Sequence, residues 1–370
     1  EEGIIYRLSF GDETAKDQDY TLDVSLKDKA GNYSDPVSFV TGTKAGATFT
    51  VDMIPIQAEL MFKTADGEDI SISNQERYLN QQVMASISIR ERNYDAAGVE
   101  VEVVQMDANG NTVAAYDQTA LRNILSDRRL EQQEVHGVYD LPNFTNDANY
   151  LVSLKMTDKA GNVTAINNKR FTVDQTAPTG NISIQAQETS GTYTGTSKTA
   201  SFQHVVKHRV TIDRTVTDVT SGVQSVQYYI YTPSEDAHGE FEIPDAGSFG
   251  TDAWRNWSDS IYLDNESQSI IYLKVTDKAG NVTYINSRDG VIVDKTAPEK
   301  PVITLQTGNE NTVFSGDVPF SFSVTDPVSG GTYAGLQTVT CEVIKDGIVT
   351  QSNTYRFDSK ASRVKASSHN

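Results

Sequence analysis

The chain has 370 residues, of which 37% are hydrophobic and 22% are charged, and its formal net charge is −19. This length predicts several domains, and the composition excludes a disordered chain. The acidic balance argues against nucleic acid and anionic membranes as partners, because like charges repel. The single cysteine, Cys341, excludes an intrachain disulfide, which favours a bacterial exported protein over an animal one.

One sequence pattern occurs three times and ends in Asp-Lys-Ala-Gly-Asn. Its aspartates, Asp28, Asp158 and Asp277, lie about 120–130 residues apart. Apolar and polar residues alternate before each aspartate, which predicts a strand with one buried face. Asp can accept bonds from its own backbone and Gly adopts positive φ without strain, so the five residues predict a turn. The whole pattern predicts a β-hairpin that closes each unit.

A second pattern marks the end of each unit. It ends in Val-Asp at Asp52, Asp174 and Asp294, and Thr-Ala-Pro follows the last two. Proline lacks a backbone donor and restricts the residue before it, so this segment predicts a linker. The predicted units are a closing part of a domain at 1–53, complete domains at 54–175 and 176–295, and an opening part at 296–370.

Short strands separated by turns are predicted earlier in each unit. They cover 83–89 and 99–104 in one unit, 210–212 and 223–228 in the next, and 320–324 and 339–343 in the last. This spacing predicts an all-β sandwich. We expect the chain to be a window from a longer array. The open sheet edges of its two terminal parts would then be poorly ordered or would pair with a neighbouring molecule.

The two patterns together resemble the bacterial immunoglobulin-like (Ig-like) repeats of large surface proteins and adhesins. The resemblance implies tandem Ig-like β-sandwich domains in an elongated array, outside the cell on the bacterial surface. Tyr20 and Tyr150 resemble the tyrosine corner of this fold, whereas the third copy has Ser269 there. The first linker departs from the pattern, since Met53, Ile54 and Pro55 follow its aspartate.

Carboxylates are predicted to meet at the junctions between domains. In a seven-stranded sandwich, the turn after the second strand and the last hairpin turn share the pole at which the chain enters. The resemblance implies Ca²⁺ there, an ion that takes six to eight oxygen ligands. The alternative is that Asp158 and Asp277 cap their turns, while Asp174 and Asp294 polarise the linker. The predicted clusters are Asp52, Asp95 (or Glu91) and Asp158; Asp174, Asp218 and Asp277; and Asp294 with Asp326.

Two segments interrupt the repeat and are candidates for recognition of a host protein. Residues 115–138 include a predicted short helix, and residues 249–262 hold both tryptophans. Aromatic and Arg side chains dominate binding hot spots. The alternative is that the helix plugs one end of its sandwich and that a tryptophan packs in the core. The candidate partner-binding residues are Arg122, Arg128, Arg129, Trp254 and Trp257.

Catalytic patterns are missing from the sequence, which contains no Gly-x-Ser-x-Gly, P-loop or His-Glu-x-x-His. His204 and His208 approach a strand, where a four-residue spacing does not bring two rings to one metal. We therefore predict that the chain is not an enzyme and has no cofactor, with Ca²⁺ at the junctions between domains kept open as the alternative to turn capping. The sequence favours a stalk or spacer in adhesion. The alternatives are a module that binds a host immunoglobulin or mucin, and an accessory region of a carbohydrate-active enzyme.

Overall fold

A computed structural model of the chain describes residues 17–34, 37–38, 47–115, 118–127, 130, 134–306, 312–357 and 363–369. These residues fall into two compact units, Glu1–Gln175 and Thr176–Asn370. Strands dominate both units, so the predicted all-β fold class is confirmed. Among the described residues, none of the helices is both long and apolar enough to cross a membrane.

The first unit begins with a three-stranded antiparallel sheet. Its order is β2-β1-β3, with β1 at Asp17–Val24, β2 at Val37–Ser38 and β3 at Ala47–Asp52. Tyr20 and Phe49 stack on one face with ring centroids 5.7 Å apart. The sheet carries the first copy of the repeated turn at residues 28–32.

The rest of the first unit is a sandwich of two sheets, called sandwich A. Its sheets have the orders β10-β7-β4-β5 and β6-β12-β11-β8-β9. The strands are β4 (Gln57–Thr64), β5 (Asp69–Ile70), β6 (Tyr78–Leu79), β7 (Val83–Glu91), β8 (Val99–Met106), β9 (Thr112–Ala115), β10 (Val135–Phe144), β11 (Ala148–Thr157) and β12 (Val163–Val173). A single 3-10 turn, Ala96–Gly98, joins β7 to β8.

The core of sandwich A is built from side chains that alternate between a buried and a more exposed face along its strands. Every second residue of β7 is buried, and Ile87 and Ile89 are fully inaccessible. Phe144, Tyr150 and Phe171 form an aromatic cluster with centroids 5.0–5.2 Å apart. The hydroxyl of Tyr150 donates to the Asn146 carbonyl at 2.8 Å, which is the back-bond expected of a tyrosine corner.

The predicted helix is confirmed as α1, Thr119–Leu125. Leu121 and Leu125 are buried in the core of sandwich A, at 2% and 0% exposure. The Tyr94 hydroxyl donates to the Leu125 carbonyl at the end of the helix. The helix therefore contributes to the core through one face and leaves Arg122 exposed on the other.

The second unit begins with sandwich B. One sheet has the order β14-β13-β16-β20, and the other has the order β18-β15-β23-β21-β17-β19, with β22 beside β21. The strands are β13 (Thr179–Gln185), β14 (Ser190–Tyr193), β15 (Thr199–Val206), β16 (Val210–Thr217), β17 (Val223–Tyr231), β18 (Phe241–Glu242), β19 (Arg255–Asn256), β20 (Ile261–Leu263), β21 (Ser267–Asp277), β22 (Val282–Asn286) and β23 (Asp289–Val293).

Strand β21 is buried on both faces. Ile271, Leu273 and Val275 enter the main core between the sheets. Ile270 and Tyr272 point the other way, into a second cluster that contains Trp254. The loop between β17 and β20, with 3-10 turns at Ala246–Ser248 and Thr251–Ala253, therefore covers the outer face of this sheet.

The last strands form two small sheets, β24-β25-β28 and β26-β27. Phe322, Val324 and Leu336 are the buried residues of their core, and Cys341 is half-buried against it. The strands are β24 (Val302–Leu305), β25 (Phe320–Thr325), β26 (Thr338–Lys345), β27 (Ile348–Arg356) and β28 (Ala366–His369).

Candidate functional site

The repeated turn has the same geometry in all three copies. In sandwich A, Asp158 Oδ1 accepts the backbone N–H of Asn162 at 2.9 Å, and Oδ2 accepts Asn162 Nδ2 at 2.9 Å. Gly161 has φ +90°, which is strained for any other residue. Equivalent bonds run from Asn32 to Asp28 and from Asn281 to Asp277. The predicted bend between closing strands is confirmed, and these three aspartates do cap their turns.

The residues that follow the turn in sandwich A bond to the incoming linker. Asn162 Nδ2 donates to the Asp52 carbonyl at 3.3 Å. Two residues later, Thr164 Oγ1 donates to the Ile56 carbonyl at 2.5 Å. The closing hairpin of the domain therefore holds the chain segment through which the domain is entered.

In sandwich B the equivalent Asn and Thr side chains also bond to the incoming linker, although the Asn bond reaches a carbonyl two residues further along. Asn281 Nδ2 donates to the Thr176 carbonyl at 3.4 Å, and Thr283 Oγ1 donates to the Pro178 carbonyl. Sequence reasoning missed this role of Asn and Thr. The available signal was the shared Asn-Val-Thr after the turn in both copies. We call these four side-chain bonds the linker clamp.

Three carboxylates converge in the first unit beside the linker clamp. Asp52 ends β3, Glu91 ends β7 and Asp158 follows β11. Their ligand oxygens lie within 4.8 Å of one another. Glu91 and Asp158 are buried, at 6% and 3% exposure. The sequence predicted Asp52 and Asp158 together, with Glu91 as one of two choices for the third member.

Asp95, the other choice, does not join this cluster. Its Oδ1 accepts the backbone N–H of Ala97 at 2.9 Å and caps the 3-10 turn that joins β7 to β8. Asp is a preferred cap, because its short side chain reaches the free N–H groups at the start of a helical turn. Asp95 is thus used as the cap of the turn between β7 and β8, and Glu91 is the carboxylate that lies beside the hairpin turn.

Burial raises the pKa of Glu91 above its ordinary value, and the nearby charges of Asp52 and Asp158 raise it further. The backbone N–H of Asn93 opposes this shift by donating to Glu91 Oε1 at 2.6 Å. Three close carboxylates without a cation repel one another. The cluster therefore favours either a shared proton or a bound cation.

Arg92 and Asn93 surround the cluster with further polar contacts. Asn93 Nδ2 donates to Asp52 Oδ2 at 2.7 Å and to Asp17 Oδ1 at 3.1 Å. The Arg92 guanidinium pairs with Asp17 at 3.2 Å and with Asp19. The first sheet is thus held to sandwich A by an amide and a guanidinium next to the carboxylates.

The donor set fits a hard divalent cation. All three side chains offer oxygen, which Ca²⁺ and Mg²⁺ prefer, and none offers the thiolate or imidazole that zinc and copper prefer. Three carboxylates supply fewer than the six to eight ligands that Ca²⁺ takes. A bound Ca²⁺ would therefore complete its shell with water or backbone carbonyls.

The remaining predicted aspartates form hydrogen bonds within their own units. In the second unit, Asp218 Oδ1 accepts the Gly222 N–H at 2.6 Å, and Asp277 caps its turn. In the first unit, the N–H of Asp174 donates to the Leu79 carbonyl at 2.9 Å. The predicted trio of these aspartates spans the two units and stays a prediction.

Asp294 and Asp326 lie close together after sandwich B. Asp294 Oδ2 accepts the Ala334 N–H, and Asp326 Oδ2 accepts the Gly335 N–H, both at 2.6 Å. Burial raises the pKa of Asp326, and the charge of Asp294 adds to the effect. These two carboxylates are thus satisfied by neighbouring backbone donors, and their predicted metal role stays a prediction.

Comparison with protein families finds the same family in two successive segments of the chain, which include two of the repeated turns. The family described as bacterial Ig-like domain matches residues 95–175 and 177–295, more than half of the chain. The chain belongs to the bacterial Ig-like domain family. Ig-like domains of this family are typically non-catalytic and are commonly found in cell-surface or extracellular proteins. None of the curated proteins matches the chain.

Both tryptophans are packed inside the second Ig-like domain. Trp254 is 8% exposed in the outer cluster, and Trp257 is 9% exposed in the main core. Trp257 packs against Tyr228, with centroids 5.6 Å apart, and lies under the Arg214 guanidinium. Buried indoles offer little surface to a partner, so these two residues have the structural role that was the alternative.

The other predicted partner residues belong to the first Ig-like domain. Arg122 lies on the exposed face of α1. Arg128 and Arg129 lie outside the residues that the structure describes. Recognition of a host protein through this segment stays a prediction.

Proposed function

We propose that this chain is a non-catalytic stalk or spacer in a bacterial surface protein that takes part in adhesion. The linker clamp is the observation that carries the proposal. Asn162 and Thr164 donate to the carbonyls of one linker, and the equivalent Asn281 and Thr283 donate to carbonyls of the next. A repeated domain that holds its own linker segment by side-chain bonds suits a spacer, which keeps the other parts of a surface protein apart.

Small-angle X-ray scattering on the full chain tests the proposal. Each sandwich has strands of about 10 residues at 3.3 Å per residue, so a single domain is roughly 40 Å long with its loops. A spacer of successive domains is expected to give a maximum dimension above about 100 Å. A compact particle, with a maximum dimension near that of a 40 kDa globule, would contradict the stalk.

We also propose that Asp52, Glu91 and Asp158 bind Ca²⁺ and stiffen the first linker. The support is their approach to within 4.8 Å beside the linker clamp. Extracellular calcium modules bind with dissociation constants of about 10⁻⁴–10⁻³ M, and we expect this range. Isothermal titration of the full chain with CaCl₂ measures it.

A matched pair of variants separates metal binding from turn capping. Asp107 caps an exposed turn at 107–111 by the same bonds as Asp158, but it lies outside the carboxylate cluster. We expect Asp158→Asn to weaken Ca²⁺ binding at least tenfold and Asp107→Asn to leave it unchanged. Equal binding by the two variants would refute the site.

Binding of a host protein through residues 115–138 is the alternative proposal. Its support is the exposed Arg122 on a helix whose opposite face is anchored by Leu121 and Leu125. A pull-down from host secretions is expected to weaken with Arg122→Ala and to survive Arg356→Ala, a change on the exposed surface of β27. A pull-down that is insensitive to Arg122→Ala would remove this helix as the binding site.

A further inference from the structure

Arg363 reaches from the segment before β28 to the surface of sandwich B. Its Nη1 donates to the Tyr333 carbonyl at 2.9 Å and to Gln268 Oε1 at 3.1 Å. Its Nη2 donates to the Glu235 carbonyl at 3.1 Å and to the Ala237 carbonyl. Four acceptors therefore surround the two terminal nitrogens of one guanidinium.

Two aromatic rings complete the surroundings of Arg363. The guanidinium carbon lies 5.1 Å from the centroid of Phe202 and 4.6 Å from that of Tyr333. Cations within about 6 Å of a ring face are attracted by its quadrupole, and more strongly when they are desolvated. The Nε–H is buried without an acceptor among the described residues, so the four bonds and the two rings hold the group.

Gln268, one of the acceptors on sandwich B, is held in place by hydrogen bonds within that domain. Gln268 is fully buried. Its Nε2 donates to the Pro233 carbonyl at 3.0 Å and to the Ser234 carbonyl, which turns Oε1 towards the guanidinium. The carbonyls of Glu235 and Ala237 come from the same loop. A preset group of acceptors loses little entropy when a donor binds.

The chemistry of this recess selects a guanidinium over an ammonium. Carbonyl and amide oxygens accept from both terminal nitrogens, and two aromatic ring centroids lie 5.1 Å and 4.6 Å from the guanidinium carbon. A planar fork with several fixed N–H donors matches both features, whereas a lysine ammonium is a compact, strongly hydrated charge. We call Phe202, Gln268 and the loop at 233–237 the guanidinium socket.

We propose that the guanidinium socket of sandwich B binds Arg363 and thereby fixes the strands β24–β28 on this domain. The first linker has a carboxylate cluster suited to a cation, whereas this joint places a protein cation against neutral acceptors. The bonds of Arg363 therefore do not depend on a divalent ion. The inference deepens the proposed spacer role, on which its biological meaning rests.

Amide hydrogen exchange on the full chain tests the socket. The N–H of Ala334 bonds to Asp294 Oδ2 at 2.6 Å, so its exchange reports on the joint. Loss of a charge-assisted bond network corresponds to roughly tenfold faster exchange or more. We expect this for Arg363→Met and Arg363→Lys, and no change for Arg356→Met, which removes an exposed arginine from β27. Unchanged exchange at Ala334 in Arg363→Met would overturn the proposal.

Chemical rescue separates binding of the guanidinium from a general effect of the mutation. We expect ethylguanidinium at millimolar concentration to slow the exchange of Ala334 in Arg363→Ala, and ethylammonium to leave it fast. Equal rescue by both ions, or rescue by neither, would reject a guanidinium-specific socket. EDTA is expected to leave the exchange of Ala334 in the wild-type chain unchanged. A compact particle in the scattering experiment would refute the spacer and leave this result untouched.

Discussion

Asn and Thr after the repeated turn have the clearest structural role at the scale of single residues. The aspartate of the turn was predictable, because its bonds are local and depend only on the five residues of the turn. The partners of Thr164 and Thr283 lie 108 and 105 residues away in the chain, at the Ile56 and Pro178 carbonyls. Periodicity and turn chemistry carry no information about contacts of this range.

Replacement of Thr283 by Val removes one bond of the linker clamp and keeps the shape of the side chain. We expect the free energy of unfolding of sandwich B to fall by about 1 kcal/mol, the usual net contribution of one hydrogen bond. Urea denaturation measures the change. Thr192→Val is the control, since Thr192 is an exposed strand residue of the same sandwich. Equal losses of stability in both variants would mean that the effect comes from replacing any strand Thr by Val and not from the linker clamp.

Glu91 predicts a pH dependence whose direction follows from its raised pKa. A carboxyl group with a higher pKa in the folded state stabilises the fold at low pH, and this contribution is lost as pH rises through the folded value. In EDTA, we expect sandwich A to lose stability between mildly acidic and neutral pH. Glu91→Gln should flatten this decline and raise the stability at neutral pH.

Thermal unfolding followed by far-UV circular dichroism, in EDTA and in millimolar Ca²⁺, measures both effects. We expect Ca²⁺ to stabilise the wild-type chain and to stabilise Glu91→Gln much less, because a cation bound only by the folded state adds to its stability. Parallel pH profiles for the two proteins would show that Glu91 is not the group responsible.

At the scale of elements, strands with one buried face were the most predictable. The alternation along β7, β8, β11 and β16 matches the predicted strands, because a period of two is visible in the residues themselves. The outer cluster on sandwich B was not predicted. Residues 241–257 form short strands and 3-10 turns without a period, so their packing on Tyr272 was hidden until the fold was known.

Helix α1 provides a test of its own role in the core. Leu125 is fully buried, and truncation of a buried Leu to Ala costs about 2–5 kcal/mol. We expect Leu125→Ala to destabilise sandwich A by this amount in urea denaturation followed by circular dichroism. Asn123→Ala, on the exposed face of the same helix, should change stability by less than about 0.5 kcal/mol. A small effect of Leu125→Ala would mean that the helix rests on the sandwich without supporting it.

At the scale of the whole molecule, the repeat identified the family and the fold, whereas the ligands and domain boundaries stay predictions. The reason is physical: a sandwich is specified by many weak, periodic positions, but a junction depends on a few side chains from distant segments. Glu91 in place of Asp95, and Arg363 in its socket, are such cases. The strong acidic charge is compatible with any soluble surface protein and does not discriminate among the proposed roles.

The burial of both indoles in sandwich B makes its unfolding visible by itself. The chain has only two tryptophans, so the red shift of its fluorescence emission reports on this domain alone, while ellipticity reports on every strand. Leu125 packs in a different core. We therefore expect Leu125→Ala to move part of the ellipticity transition to lower urea and to leave the emission midpoint unchanged. Coincident shifts of both signals would instead mean that the sandwiches melt as one cooperative body.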